Sequence, residues 1–140
     1  MNEQLLSAQV ARDLFYIHEN RIDAYKELLS VLETDPGMNN IIERMIEQGI
    51  KDREQLLKRM KPGVDSPGET YKAWQMMINP VTEGDKKTVL ATLAEDELIM
   101  MNTYSMALSQ ITDTDMIALL EAQQLELRKL HDRLRTYHPI

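Results

Sequence analysis

The residues best placed to do chemistry in this chain are five polar ones that fall on otherwise apolar helical faces: His18, Arg53, Glu97, Gln124 and His131. Buried without partners, each would cost several kcal/mol, so each must meet another polar group, water or a metal ion. The chemistry to weigh is metal binding. A dinuclear carboxylate site in a four-helix bundle takes a Glu from each of two helices and a Glu-x-x-His pair from each of the other two, because side chains one turn apart reach the same metal pair. Residue by residue, the requirement is not met. Glu97 and His131 are there, but Arg128 stands three positions before His131, and the second helical segment has no histidine. In its middle, Gly49-Ile50-Lys51-Asp52-Arg53 places a cation where it would oppose a metal and pair with Glu97. A mononuclear His18, Glu97, His131 site is the other metal option. A polar core network in which these five residues satisfy one another is the preferred expectation, with no cofactor and no catalytic residue assigned.

Other constellations carry less. In Glu95-Asp96-Glu97, consecutive helical residues point in different directions, so a single inward carboxylate, Glu97, is expected. Met76-Met77, Met100-Met101 and Met106 read as core filling and not as copper ligands, since no Met-x-Met series with His accompanies them. The cations Lys58, Arg59 and Lys61, and Arg128, Lys129, Arg133 and Arg135, complement helix C-termini. No serine has the His and Asp spacing of a nucleophilic site, and no phosphate-binding glycine motif or internal repeat occurs.

The elements that must position these residues are helices. Clusters at Asp35-Pro36-Gly37, Lys61-Pro62-Gly63, Ser66-Pro67-Gly68 and Asn79-Pro80 divide stretches with helical period. The faces read Leu14, His18, Ile22, Tyr25, Leu29; then Met38, Ile42, Met45; then Leu90, Leu93, Glu97, Met100, Tyr104, Ile111; and last Ile117, Leu120, Gln124, Leu127, His131, Leu134. Helices are expected over residues 2–34, 36–60, 69–78, 85–111 and 113–136, capped by Asp35, a Ser66-Pro67-Gly68-Glu69 capping box, Asp85 and Thr112. Short joints make the first two long helices one antiparallel hairpin and the last two another. Between the hairpins, Lys61 to Gly84 holds a short helix of about 15 Å plus about fourteen residues at about 3.3 Å each, enough to return along a helix of about 38 Å. The expected fold is therefore all-α: a ferritin-like antiparallel four-helix bundle in one domain, with a short extra helix in the long crossover between the second and third long helices. If the short helix merely folds over one end, a plain up-down bundle results.

Particular residues also resemble a known family. Asn20-Arg21-Ile22-x-x-Tyr25, Tyr71-Lys72-Ala73-Trp74, Glu97 with Tyr104 and Ala107-Leu108, and His131-Asp132-Arg133-Leu134 together resemble a bacterial ferritin-like four-helix-bundle family of unknown function, from about Leu14 to Thr136. The motifs are short, the first helix starts earlier here, and Leu98-Ile99-Met100-Met101 is more apolar than the resemblance implies. What the resemblance implies is a fold and a stress-related setting. It carries over no reaction, and ferritin-like architecture does not transfer iron chemistry.

Composition bounds the rest. The 140 residues suit one domain able to bury a core without staples, and the absence of cysteine excludes disulfide scaffolds and thiol chemistry. A net charge of -7 disfavours nucleic acid. No apolar run is long enough to span a membrane, and Met1 to Asp13 lacks a signal-peptide pattern, so a soluble cytoplasmic protein is expected. Ten Met and a single Phe describe an aliphatic, Met-filled helical core. Leu14-Phe15-Tyr16-Ile17 and Leu98-Ile99-Met100-Met101 are apolar around the whole helix. One such patch suits the crossover helix with Trp74, and the other suits an interface with a second copy, a dimer in its simplest form, or with an unknown protein partner. The leading functional expectation is a non-enzymatic bundle acting through association; the rival is a metal-binding oxidase or storage protein.

Overall fold

A computed structural model describes residues 2–31, 35–79 and 84–138. Five helices, α1 (Glu3–Val31), α2 (Pro36–Leu57), α3 (Glu69–Met77), α4 (Lys86–Gln110) and α5 (Thr114–Thr136), and no strand occur among the described residues. The helix starts follow the capping residues. Asp35 accepts from the backbone N–H groups of Gly37 and Met38, with Pro36 at the first turn, and Asp85 accepts from Thr88. Two expected caps are different. Asp113, not Thr112, caps α5 by accepting from Asp115 and Met116. Gly68 stands at the N-cap of α3 with no side-chain bond of its own, so the Ser66 capping box does not form. α2 ends three residues earlier than expected, at Leu57, and the expected end of α1 near Thr34 lies outside the described residues.

α1 packs along α2, α4 along α5, and α2 meets α5, while α3 lies against both α1 and α4. The crossover can be followed by its partners. Lys61 Nζ reaches Gln4 Oε1 at 3.5 Å, the Ser66 carbonyl accepts from Gln9, Gly68 bonds Asp13, and Tyr71 Oη accepts from Asn20 at 2.8 Å. Successive crossover residues thus meet later and later residues of α1. Asn79 then reaches Asp96 of α4, and Lys86 at the start of α4 lies 3.9 Å from Asp35 at the start of α2. Residues 61–79 therefore run along α1 from the end where it begins to the level of Asp96 on α4, and do not fold over one end. α2 and α4 start at the same end, and every neighbouring pair of long helices is antiparallel.

What holds the crossover is a carboxylate at each end of α3. Asp13, buried on α1, accepts from the backbone N–H groups of Gly68 at 2.9 Å and Tyr71 at 3.3 Å, and from Arg12 and Gln9. It caps the N-terminus of α3 from another helix, in place of a side chain that Gly68 lacks, and complements the positive end of α3. Gly68 is required for this approach, since a Cβ there would lie 2.6 Å from Asp13 Oδ2. At the far end Asp96, buried on α4, accepts from the Asn79 backbone N–H at 3.3 Å. The sequence reading admits one inward carboxylate in Glu95-Asp96-Glu97; the structure buries two, Asp96 toward the crossover and Glu97 toward the bundle axis.

Asp13→Ala should leave two backbone donors and Arg12 without their acceptor. The expected loss is about 2 kcal/mol of stability, read as a lowered urea midpoint from the fluorescence of Trp74, the single tryptophan.

Candidate functional site

The apolar core is in two halves. One gathers Leu14, Ile17, Leu56, Trp74, Met100, Leu120 and Leu127 near the end where α1 begins; the other gathers Ile22, Tyr25, Ile42, Met45, Leu93 and Leu134 near the end where α2 begins. Between them lies a layer of buried polar side chains: His18 and Arg21 on α1, Asp52 on α2, Glu97 on α4 and Gln123 on α5.

The layer is one connected network. Arg21 Nη2 forms a close ion pair with Glu97 Oε1, which also accepts from Tyr25 Oη at 3.2 Å. Arg21 Nη1 lies 3.2 Å from His18 Nδ1, and His18 Nε2 lies 2.7 Å from Tyr104 Oη. Tyr104 donates to Gln123 Oε1 at 2.7 Å, and Gln123 Nε2 donates to the Asp52 carbonyl and to Gln55 Oε1. Donors and acceptors alternate consistently if His18 accepts at Nδ1 and carries its proton on Nε2, the tautomer these partners assign. α2 approaches closely here because it has Gly49, where a Cβ would sit 3.1 Å from Ile22 Cγ1.

Burial sets the proton states. It pushes the His18 pKa well below 6.5, helped by the charges of Arg21 and Arg53, so the imidazole is neutral. For Arg21, burial opposes the charge, but Glu97, Tyr25 and Tyr104 together more than offset it and the guanidinium stays protonated. Asp52 is raised from 3.8 to about 7 by burial, against the hydrogen bond from Gln48. Its Oδ1 accepts from Gln48 at 2.9 Å, and its Oδ2, 3.9 Å from His18 Nε2, is buried without a hydrogen-bond partner. Gln48 also lines a groove of about 430 Å³ between α2 and α5, walled by Arg44, Lys51, Glu126 and Arg133.

Of the five residues singled out by sequence, the structure brings together His18 and Glu97. Arg53 is half-buried and pairs with Glu19 and Glu54. Gln124 bonds the Met101 carbonyl and Ser105, and His131 places Nδ1 3.0 Å from the Ala94 carbonyl, both beside α4 and away from the network. Glu97 is therefore paired with Arg21, not with Arg53 or His131. Arg21, Asp52 and Gln123 are the members that the sequence reading misses. The signal for two of them is present: Arg21 falls on the α1 face between His18 and Tyr25, and Asp52 continues the run Met38, Ile42, Met45, Gly49.

Tested against a metal, the donor set fits poorly. The Arg21 guanidinium lies between His18 and Glu97 and supplies the positive charge that a metal would bring. Among the described residues, no group of three His, Asp or Glu side chains stands close enough to hold a metal ion. Among the same residues, no helix is long and apolar enough to cross a membrane. No protein-family model, curated protein or solved structure matches the chain.

Two predictions follow from the geometry. Glu97→Gln leaves Arg21 charged and uncompensated in the interior, a change that typically costs about 3 to 5 kcal/mol. With a chelator present, the mutant's denaturation midpoint should drop by the equivalent of at least about 2 kcal/mol, and added iron or manganese should leave the wild type unchanged. The second concerns pH. A carboxyl whose folded pKa is raised stabilises the fold while protonated and loses that stabilisation as pH rises through its folded value. For Asp52 the loss spans from above 3.8 to just past about 7. Asp96, raised to about 6 by burial, acts in the same direction, and His18, lowered from 6.5, acts in the opposite one. Measuring Asp52→Asn beside the wild type cancels those shared contributions. Between pH 5 and pH 8 the wild type should lose about 2 kcal/mol relative to the variant, as followed by urea titration at each pH.

Proposed function

We propose that this chain is a non-enzymatic, ferritin-like bundle that acts by associating with a second copy of itself, in the stress-related setting its family resemblance implies. The ferritin-like assignment is supported by the crossover, whose residues 61–79 run along α1 to Asp96 of α4 between two antiparallel hairpins. The non-enzymatic reading is supported by the polar layer, in which Arg21 and Tyr25 already engage the one interior glutamate.

The observation that carries association is a second apolar stripe on α4. Its first face, Leu93, Met100, Tyr104 and Ala107, is buried in the bundle. Ala91, Ala94, Leu98 and Met101 follow one another at the three-and-four spacing of another helix seam, which Leu108 resumes after Ser105. Met101 and Leu108 are half-buried, but Leu98 is 46% exposed and Leu125, on the neighbouring α5, is 51% exposed. α3 does not cover this side, because it lies on the opposite flank of α4 with Asp96 and Asn79. A two-fold pairing of α4–α5 faces would bury Leu98 and Leu125 of both copies, each Leu contributing about 1.5 to 3 kcal/mol when fully covered.

Sedimentation equilibrium or light scattering should find the wild type as a dimer. Leu98→Glu combined with Leu125→Glu should raise the dissociation constant at least about tenfold with the helical circular-dichroism spectrum unchanged. A wild type that stays monomeric at every concentration would overturn the reading.

A further inference from the structure

The crossover and the helices beneath it form a half-open pocket that neither the polar layer nor the α4–α5 face accounts for. It lies between α1, α3 and α4, has a volume of about 280 Å³, and is lined by Ala24 and Tyr25 of α1, Trp74, Ile78 and Asn79 of the crossover and Asp96 of α4, among others. That volume stands just below the range of about 300 to 1,000 Å³ usual for small-molecule sites. Apolar and aromatic side chains alternate with polar ones in its wall, and three buried polar atoms of its lining residues have no hydrogen-bond partner: the indole Nε1 of Trp74 and Nε of Arg21, both donors only, and Oδ2 of Asp96, an acceptor when ionised. Trp74 is 5% exposed and Asp96 1%. Buried polar groups are rarely left unpaired, and two donors and an acceptor left over around one pocket point to a partner that carries both an acceptor and a donor.

We propose that this cavity binds a small, uncharged carboxamide, whose carbonyl accepts from Trp74 Nε1–H and whose N–H donates to Asp96 Oδ2. The charges in the walls select neutrality. An anion would face Asp96, and a cation would face Arg21, whose guanidinium lines the same cavity. The indole of Trp74 and the ring of Tyr25 suit a flat substituent. Because Asp96 and Asn79 form both the cavity wall and the far anchor of the crossover, a bound ligand also ties the crossover to α4.

The test titrates the intact protein with benzamide, benzoate and benzylamine, following Trp74 fluorescence and confirming by calorimetry. The expected result is saturable benzamide binding, with benzoate and benzylamine each at least about tenfold weaker. Asp96→Asn, which can place an amide donor where the acceptor stood, and Trp74→Phe, which removes the N–H, should each weaken benzamide about tenfold, the effect of one lost hydrogen bond. The comparison of three probes on the wild type needs no variant to fold. No saturable signal for benzamide would overturn the proposal, as would benzoate or benzylamine binding as tightly, or benzamide binding that neither substitution alters.

Discussion

The Arg21–Glu97 ion pair is the constraint around which the rest of this molecule is arranged. It joins α1 to α4 across the bundle, in an interior where an isolated charge would be far too costly to keep. Once it is there, the groups around it must be polar and must be satisfied. Tyr25 donates to Glu97 and His18 accepts from Arg21, Tyr104 and Gln123 extend the chain of donors and acceptors toward α2, and burial holds His18 neutral so that it can accept from Arg21. The apolar core is divided in two as a consequence. Such a layer adds register more than stability, since sliding any helix by one turn would strand a charge against aliphatic side chains.

Carboxylates organise the periphery by the same physics. Asp13 and Asp96 are each buried, and each takes backbone N–H groups of the crossover as its partners. A short helix of nine residues has little stability of its own, and here its N-terminus is capped by another helix. The crossover thereby closes the groove between α1 and α4, covers the Arg21–Glu97 pair on that side, and creates the cavity beneath Trp74. Asp52 plays the reverse part. It is buried with one oxygen unpartnered, and burial raises its pKa to about 7, so it changes charge near neutrality.

α4 is the element on which these demands converge. It presents Met100 and Tyr104 to the core, Glu97 to the ion pair, Asp96 to the crossover and Leu98 to the outside. Apolar residues on nearly all its sides are the sequence trace of a helix with several neighbours. Three of those neighbours, α1, α3 and α5, lie within the chain, and on the remaining side Leu98 is exposed.

Much of this was determined by the sequence alone. Helical period, with Asp35 and Asp85 before the runs that they cap, specifies the helices to within a few residues, because capping and amphipathic spacing are local properties. Glu97 and His18 were legible as interior polar groups, since each interrupts an otherwise apolar face. Tertiary structure decided which residues they meet. On α5 the runs Leu120, Gln124, Leu127, His131, Leu134 and Leu120, Gln123, Leu127, Leu130, Leu134 share three leucines, so periodicity cannot say which one faces inward. A rotation of the helix by less than one residue, set by how α4 and α2 pack against it, buries Gln123 and leaves Gln124 and His131 at the edge. The same holds for Asp52 against Arg53 on α2. The caps that cross between helices are more distant still: Asp13 and Gly68 are 55 residues apart, and nothing local in either segment reports that one completes the other. Patterns that repeat along one helix are written in the sequence, whereas pairings between helices depend on rotations and approaches that only the packed chain defines.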